Sequence, residues 1–363
     1  MSDVGRNGRP RVARPVSVVT GGAGFVGTNL AARLAASGQD VVVVDNLSRP
    51  GVADNVQWLV EHFGDRVRID VADVRDEIAL EWALSGAAKV FHLAAQVAVT
   101  TSLVSPQHDH DVNVCGTLKL LEAIRRLDDP PPLLYTSTNK VYGTLPDLEL
   151  HRNGDRWEPV SPLVRASGLG EDLPLDFCTP YGCSKGAADQ YVLDYAKSYG
   201  LRTVVFRMSC IYGPHQHGNE DQGWVAHFLR AARAGRTVTI YGDGAQVRDI
   251  LFVDDLVDAM LVAMEPSGME GIRGRPFNMG GGPANTVSLL ELLELINDLE
   301  GRPLDVEWSG ERTGDQRYYV ADTTRFREAT GWKPSVSVEE GVEMLHRWLA
   351  AGRSGTVETA ARL

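Results

Sequence analysis

Cysteine is scarce in this chain of 363 residues, being confined to Cys115, Cys178, Cys183 and Cys210. No two of them share a Cys-x-x-Cys spacing and no zinc-like histidine pattern lies nearby, which argues against a disulfide scaffold and a zinc site. Free thiols in a reducing cytoplasm are expected instead. Long apolar runs are also missing, since none reaches the roughly 18 residues of a membrane helix. Arg6, Arg9, Arg11 and Arg14 have no apolar stretch behind them, so residues 1–14 read as a flexible leader and not as a secretory signal. Positive charge is in deficit. Lys plus Arg number 36 against 48 Asp plus Glu, a net charge of -12, which repels a phosphate backbone and argues against polymeric nucleic acid as a partner. No internal repeat or low-complexity tract occurs.

What is present is an ordinary globular composition, 43% hydrophobic and 23% charged, with length for one large or two coupled domains. Val16–Thr20 is a short β-branched run, followed by a glycine cluster and an Ala/Leu-rich stretch, Asn29 to Ser37. The pattern reads as strand, tight turn, helix. Val41–Val44, Val90–Ala94, Leu133–Tyr135 and Thr203–Arg207 read as further buried strands, with helices near 76–84, 111–127 and 181–198. Strands alternating with helices imply an α/β fold with a doubly wound parallel sheet. Residues 15–213 with about 246–267 are expected to form this first domain. A smaller, discontinuous α/β unit is expected over about 214–245 and 268–350, and a tail without an apolar stripe over 351–363. Residues 144–179, punctuated by Pro146, Pro159, Pro162 and Pro174, show no period and read as an ordered loop over a site.

Gly22-Ala-Gly24-Phe-Val-Gly27, with Gly21 beside it, sits between the first strand and the first helix. That is the setting of a Rossmann-type dinucleotide fingerprint, in which glycines let backbone approach a pyrophosphate at a helix N-terminus. Asp45 ends the next strand, 18 residues past Gly27, where a carboxylate accepts a ribose diol and repels a 2′-phosphate. NAD is therefore expected over NADP, although the guanidinium of Arg49 is able to hold a 2′-phosphate. Farther along, Tyr181-Gly-Cys-Ser-Lys185 opens a helix and places Tyr181 and Lys185 at i and i+4. An ammonium beside a phenol lowers its pKa and makes a general base able to take a hydroxyl proton while hydride leaves the same carbon. Ser137 and Thr138 stand between the two motifs, at the C-terminal end of a strand.

These residues, with Asp73-Val74, His92-Leu-Ala-Ala-Gln96, Asn113, Val141-Tyr-Gly143, Tyr212-Gly-Pro214 and Arg248-Asp249, resemble the extended short-chain dehydrogenase/reductase family of nucleotide-sugar epimerases and dehydratases over residues 16 to 350. The resemblance implies NAD on the first domain and a nucleoside-diphosphate sugar on the second. It implies cofactor contacts from Gly21, Gly24, Phe25, Val26, Gly27, Asp45, Asn46, Ser48, Arg49, Asp73, Val74, Leu93, Ala94, Ala95, Gln96, Asn113, Tyr181 and Lys185. On the substrate side it implies Gln96, Thr138, Asn139, Cys210, Val225, Tyr241, Arg248, Arg312 and Asp315. Thr138, Tyr181 and Lys185 are the implied catalytic residues, and homodimers through the helices near 108–127 and 181–199, stacked or not into tetramers, are the implied assembly.

Family members that eliminate water carry a carboxylic acid just after the catalytic Thr or Ser. Asn139 and Lys140 stand there instead, which argues against dehydration and for reversible oxidation and re-reduction. Cys210 replaces an Asn common in 4-epimerases. Together with Thr179–Tyr191, Asp221–Val225 and Asp315–Arg317 it resembles the branch that inverts C2 of CDP-linked 3,6-dideoxyhexoses, CDP-paratose and CDP-tyvelose. A 4-epimerase or decarboxylase acting on a UDP- or GDP-sugar, or a non-catalytic NAD sensor, stay as alternatives. His215, His217 and Asp221 lack a third convincing ligand, so no metal is expected. Cys183 reads as packing and Leu289–Leu295 as core. Arg317 is balanced between a phosphate contact and none, and Lys140 between substrate contact and an ion pair.

Overall fold

The computed structural model describes residues 15–219 and 221–352; the expected leader and nearly all of the expected tail lie outside them. Seven parallel strands form the main sheet. From one edge their order is Arg275–Met279, Thr203–Met208, Leu133–Thr138, Ala87–His92, Val16–Thr20, Asp40–Asp45 and Val67–Val71. These strands are rich in Val, Leu and Phe because both faces are covered, one by Phe25–Ala36 and Val253–Ala263, the other by Gly116–Arg125 and Pro180–Ser198. Val16–Thr20 and Ala87–His92 are neighbours although 66 residues of chain separate them. The strand order reverses here, and a crevice opens at the strands' C-terminal ends.

Three expectations change. Arg275–Met279 was assigned to the smaller unit but is the edge strand of the main sheet, Phe277 lying opposite Phe206. Its fully buried Phe277 and Met279 share a core with Phe206, Phe326 and Trp332; the glycines at 280–282 mask this short run in the sequence. Val247–Phe252, expected with the first domain, lies instead in a small sheet with Cys210–Tyr212, Thr286–Ser288 and Tyr318–Tyr319. The segment 144–179 is not simply a loop. It carries an antiparallel hairpin, Leu150–Asn153 with Arg156–Pro159, and a helix, Pro162–Ser167, capped by Ser161. The hairpin is docked by Trp157 N–H on the Ala245 carbonyl at 2.9 Å.

The rest of the smaller unit packs Trp224–Arg233, Leu289–Glu300 and Val338–Ala351 around Leu229, Ile240, Leu292 and Ile296, so the leucine cluster is core. A two-stranded parallel sheet, Val238–Tyr241 with Val306–Ser309, completes it. Among the described residues no helix is long and apolar enough to cross a membrane.

Candidate active site

The glycine turn is shaped by close approach. Gly21 has φ 68°, and a Cβ there would stand 2.6 Å from the Ala94 nitrogen; at Gly27 a Cβ would meet the Gly21 carbonyl at 2.4 Å. Only glycine lets the turn sit against the Leu93-Ala94 backbone and the helix sit against the turn. Gly24 caps Phe25–Ala36 without a side-chain bond, so the N–H groups of Phe25, Val26 and Gly27 have no intrahelical acceptor and suit an anion.

Asp45 ends its strand with its carboxylate accepting the Ala23 N–H at 3.1 Å and the Leu47 N–H at 2.9 Å. Burial pushes its pKa up, and these bonds and Arg49 oppose that. Asn46 donates to Asp73 at 3.0 Å and accepts from the Ser48 N–H at 3.1 Å. Arg75 grips Asp73 at 2.8 and 2.9 Å and holds it well below the carboxylate range. Val74 is buried against Gly116. The Leu93 N–H reaches the Thr20 carbonyl at 3.0 Å, and Ala94, Ala95 and Gln96 continue along the crevice. An uncapped helix start, a glycine cradle that a Cβ would fill and a carboxylate at the second strand's tip fit the diphosphate and ribose of NAD.

Asn113 is buried and bonded on several sides. It lies on a π-helical turn, Asp111–Cys115, where its amide accepts from Gln96 N–H at 2.9 Å. It also donates to the Gln96 carbonyl and the Ser184 hydroxyl, both at 3.0 Å. It braces the Gln96 loop against the helix Pro180–Ser198, which carries Ser184.

That helix, Pro180–Ser198, starts under control: Thr179 accepts the Gly182 N–H at 3.1 Å and Pro180 takes the first position. Tyr181 is thereby fixed in the first turn, its N–H on the Ser102 hydroxyl at 3.2 Å. Burial pushes the Tyr181 phenol up to about 12; a hydrogen bond with Thr138 and the charge of Arg49 pull it back, while Asp109 adds to the rise. Lys185 is engaged with the neighbouring strand. Its ammonium donates to the Thr136 carbonyl at 2.6 Å and lies 4.2 Å from the centre of the Tyr135 ring. Burial brings it down to about 7, with Asp189 and Asp109 opposing. Thr138 and Arg49 are groups that lower the phenol in this arrangement. Cys183 is exposed, on the helix face turned from the core, so it is not a packing residue.

On the substrate side Thr138 accepts the Lys140 N–H at 3.2 Å and donates to Asn139 at 3.3 Å. Asn139 donates to Gln316 at 3.0 Å, and Gln316 to the Gly143 carbonyl at 2.6 Å. Arg248 pairs with Asp315 at 2.8 Å, not with its neighbour Asp249, which is buried and pushed up to about 6. Burial raises the Asp315 carboxyl, but Arg248, Lys140 and Arg312 outweigh it and hold it low. Arg312 stacks 3.5 Å over the Tyr241 ring and reaches Asp221 at 3.5 Å. Tyr241, Arg312, Asp315 and Trp157 line a cavity of about 350 Å³ beside the hairpin. Cys210 accepts the Trp224 indole N–H at 3.5 Å, and burial raises its thiol. The side chain of Val225 joins the core of the smaller unit, on the inward face of its helix. Arg317 pairs with Glu311 at 3.2 Å at the rim. His215 packs between Trp58 and Trp348, at 4.2 and 5.2 Å between ring centres.

The profile of the NAD dependent epimerase/dehydratase family matches residues 17–280. This chain belongs to that family. A CDP-paratose 2-epimerase of Salmonella typhi is 41% identical over 341 residues, covering 92% of this chain and 99% of that protein. A UDP-glucose 4-epimerase of Mycolicibacterium smegmatis is 36% identical, covering 90% and 96%. Among solved structures, the Thermus thermophilus UDP-glucose 4-epimerase complex with NAD superposes with a TM-score of 0.76 at 30% identity, covering 93% of this chain and 99% of that one. The family match contains the glycine turn, Asp45, Thr138, Tyr181, Lys185 and Arg248, while Arg312 and Asp315 lie beyond it. The chain is thus an NAD-dependent epimerase-type enzyme with a Rossmann-type α/β fold. Ser102 and Asp109 were not singled out in the sequence, where short polar residues outside any motif carry no signal of their own; Gln316 lies within the Asp315–Arg317 stretch, but nothing there marked it as the partner of Asn139.

Proposed function

We propose that this enzyme inverts C2 of a CDP-linked 3,6-dideoxyhexose, interconverting CDP-paratose and CDP-tyvelose. The observation that carries the reading is the near full-length similarity to a CDP-paratose 2-epimerase. The site supports it: next to Thr138 stand an amide locked to Gln316 and an ammonium near Asp315, neither of which is a carboxylic acid for eliminating water. Bound NAD supplies a hydride acceptor, and a donor on the return. Thr138 holds the reacting hydroxyl, and Tyr181 takes its proton as the carbon is oxidised and gives it back on reduction. Lys185 is the cation for the nicotinamide ribose. Asp45 accepts the adenosine ribose hydroxyls, and the first turn of Phe25–Ala36 receives the pyrophosphate. Arg248 and Arg312 present guanidinium donors to the nucleotide's phosphates. We further propose a homodimer across the exposed Leu103, Val104, Tyr191 and Tyr199.

The chemistry is tested by running the interconversion in D2O. Hydride transfer keeps protium at C2 of the product; deuterium at C2 would show proton abstraction from carbon and overturn the mechanism. A second reading, 4-epimerisation of a UDP-sugar, is favoured by the similarity to UDP-glucose 4-epimerases and is separated by offering UDP-glucose in parallel.

A further inference from the structure

We propose that Lys140 anchors the β-phosphate of the substrate and thereby brings C2, not C4, to Thr138 and Tyr181. The inference rests on the C2 reading above. Lys140 sits two residues past Thr138 on the single turn Asn139–Tyr142, and its N–H is bonded to the Thr138 hydroxyl at 3.2 Å. The backbone from which its side chain springs is therefore fixed beside the reacting hydroxyl. Its ammonium donates to the Gly314 carbonyl at 2.9 Å and lies 3.7 Å from Asp315 Oδ1, the oxygen that Arg248 holds at 2.8 Å.

Cations gather at this point: Asp315 is faced by Arg248, Lys140 and Arg312. Burial, and then the charge of Arg248, push the Lys140 ammonium below its ordinary value. A phosphate arriving here would relieve that repulsion.

The ring decides what such an anchor means. The β-phosphate is bonded through oxygen to C1, which adjoins C2 and lies across the ring from C4. With the reacting hydroxyl held at Thr138, C2 chemistry brings the phosphate beside the catalytic residues, and C4 chemistry keeps it a ring's width away. Lys140 is the cation whose backbone adjoins Thr138, while Arg248 reaches the same oxygen of Asp315 from the smaller unit.

The test is calorimetric titration of the NAD-loaded enzyme, Lys140→Met and Lys140→Arg with CDP and with CMP. The expected result is a loss of roughly 10- to 100-fold in CDP affinity for Lys140→Met, as for a charge-assisted hydrogen bond. CMP affinity stays within about twofold and Lys140→Arg recovers most of the CDP binding. Unchanged CDP affinity, or CDP and CMP affinities falling together, would overturn the anchor. Turnover at saturating CDP-tyvelose is then expected to fall at least about tenfold in Lys140→Met, about 1.4 kcal/mol of lost registration; a rise in KM with kcat intact would overturn the positioning role. Failure of the wild-type enzyme to convert CDP-tyvelose would count against the C2 reading and leave the phosphate titration to be judged by itself.

Discussion

Tyr181 is dominated by its burial. A phenol near 12 keeps its proton at neutral pH, so the residue rests as an acid and must be ionised to act as the base. Tyr181→Phe should lower kcat by about 10²–10⁴ while the NAD content of the purified protein, read by absorbance after denaturation, is unchanged. Because the deprotonated form is the active base and its pKa is raised, kcat/KM should climb with pH through the neutral range. Arg49→Met removes a charge that draws the phenol down, so its profile should move to higher pH; a profile that stays in place would contradict the coupling. The placement of Thr138 and Asp45 at strand ends and of Tyr181 and Lys185 at a helix start was legible in the sequence, because each is fixed locally. What Lys185 does was not legible, since its partners Thr136 and Tyr135 belong to a strand 49 and 50 residues earlier in the chain. The pairing of Gln316 with Asn139 was hidden for the same reason, since 177 positions separate them.

At the scale of elements, the catalytic helix is fastened to the sheet by an ion pair. Arg207 on Thr203–Met208 bonds Asp189 on Pro180–Ser198 at 2.8 and 3.1 Å, both side chains buried. The guanidinium also reaches Tyr142 at 3.1 Å, and Tyr142 bonds Asn278 on the edge strand at 2.8 Å. Removing one partner leaves a buried charge, so Asp189→Ala should destabilise the fold by about 3–5 kcal/mol in a urea titration. His92 clamps the first strand to the helix beyond it, between Thr20 at 2.6 Å and Thr117 at 2.9 Å. Burial, and then the charge of Lys185, bring it down to about 3. An unfolded histidine titrates near 6.5, so the folded state binds fewer protons between these values. The stability His92 contributes is present above pH 6.5 and lost as pH falls toward 3. His92→Asn, which does not titrate there, should flatten the dependence of the urea midpoint on pH in that window; an unchanged slope would contradict the assignment. Strands with continuous Val and Leu were legible, but Arg275–Met279 was not: it starts Arg-Pro and ends in glycines, and only the core beneath it shows that Phe277 and Met279 point inward. The hairpin at 150–159 was hidden by its charged, weakly alternating sequence.

Across the whole molecule, the segment from Gly143 to Thr179 joins the catalytic strand to the catalytic helix and ties the two units together. Asp176 N–H returns to the Val141 carbonyl at 2.9 Å, Asn278 N–H is held by Glu171 at 2.8 Å, and Trp157 meets Asp243 at 2.9 Å. The nucleotide crevice therefore opens from the main sheet, the cavity from the smaller unit, and Thr138 and Tyr181 stand on the part that this segment bridges. The α/β class and the cofactor could be read from order and spacing alone, whereas the partition of strands between the units depends on contacts that no local pattern encodes. The most direct test of the account is proton NMR of CDP-tyvelose incubated with purified protein and no added cofactor, following the anomeric and H2 signals. Appearance of CDP-paratose is the predicted result and would establish C2 inversion by an enzyme that carries its own NAD. An unchanged spectrum, even after NAD is added, together with conversion of UDP-glucose, would contradict it.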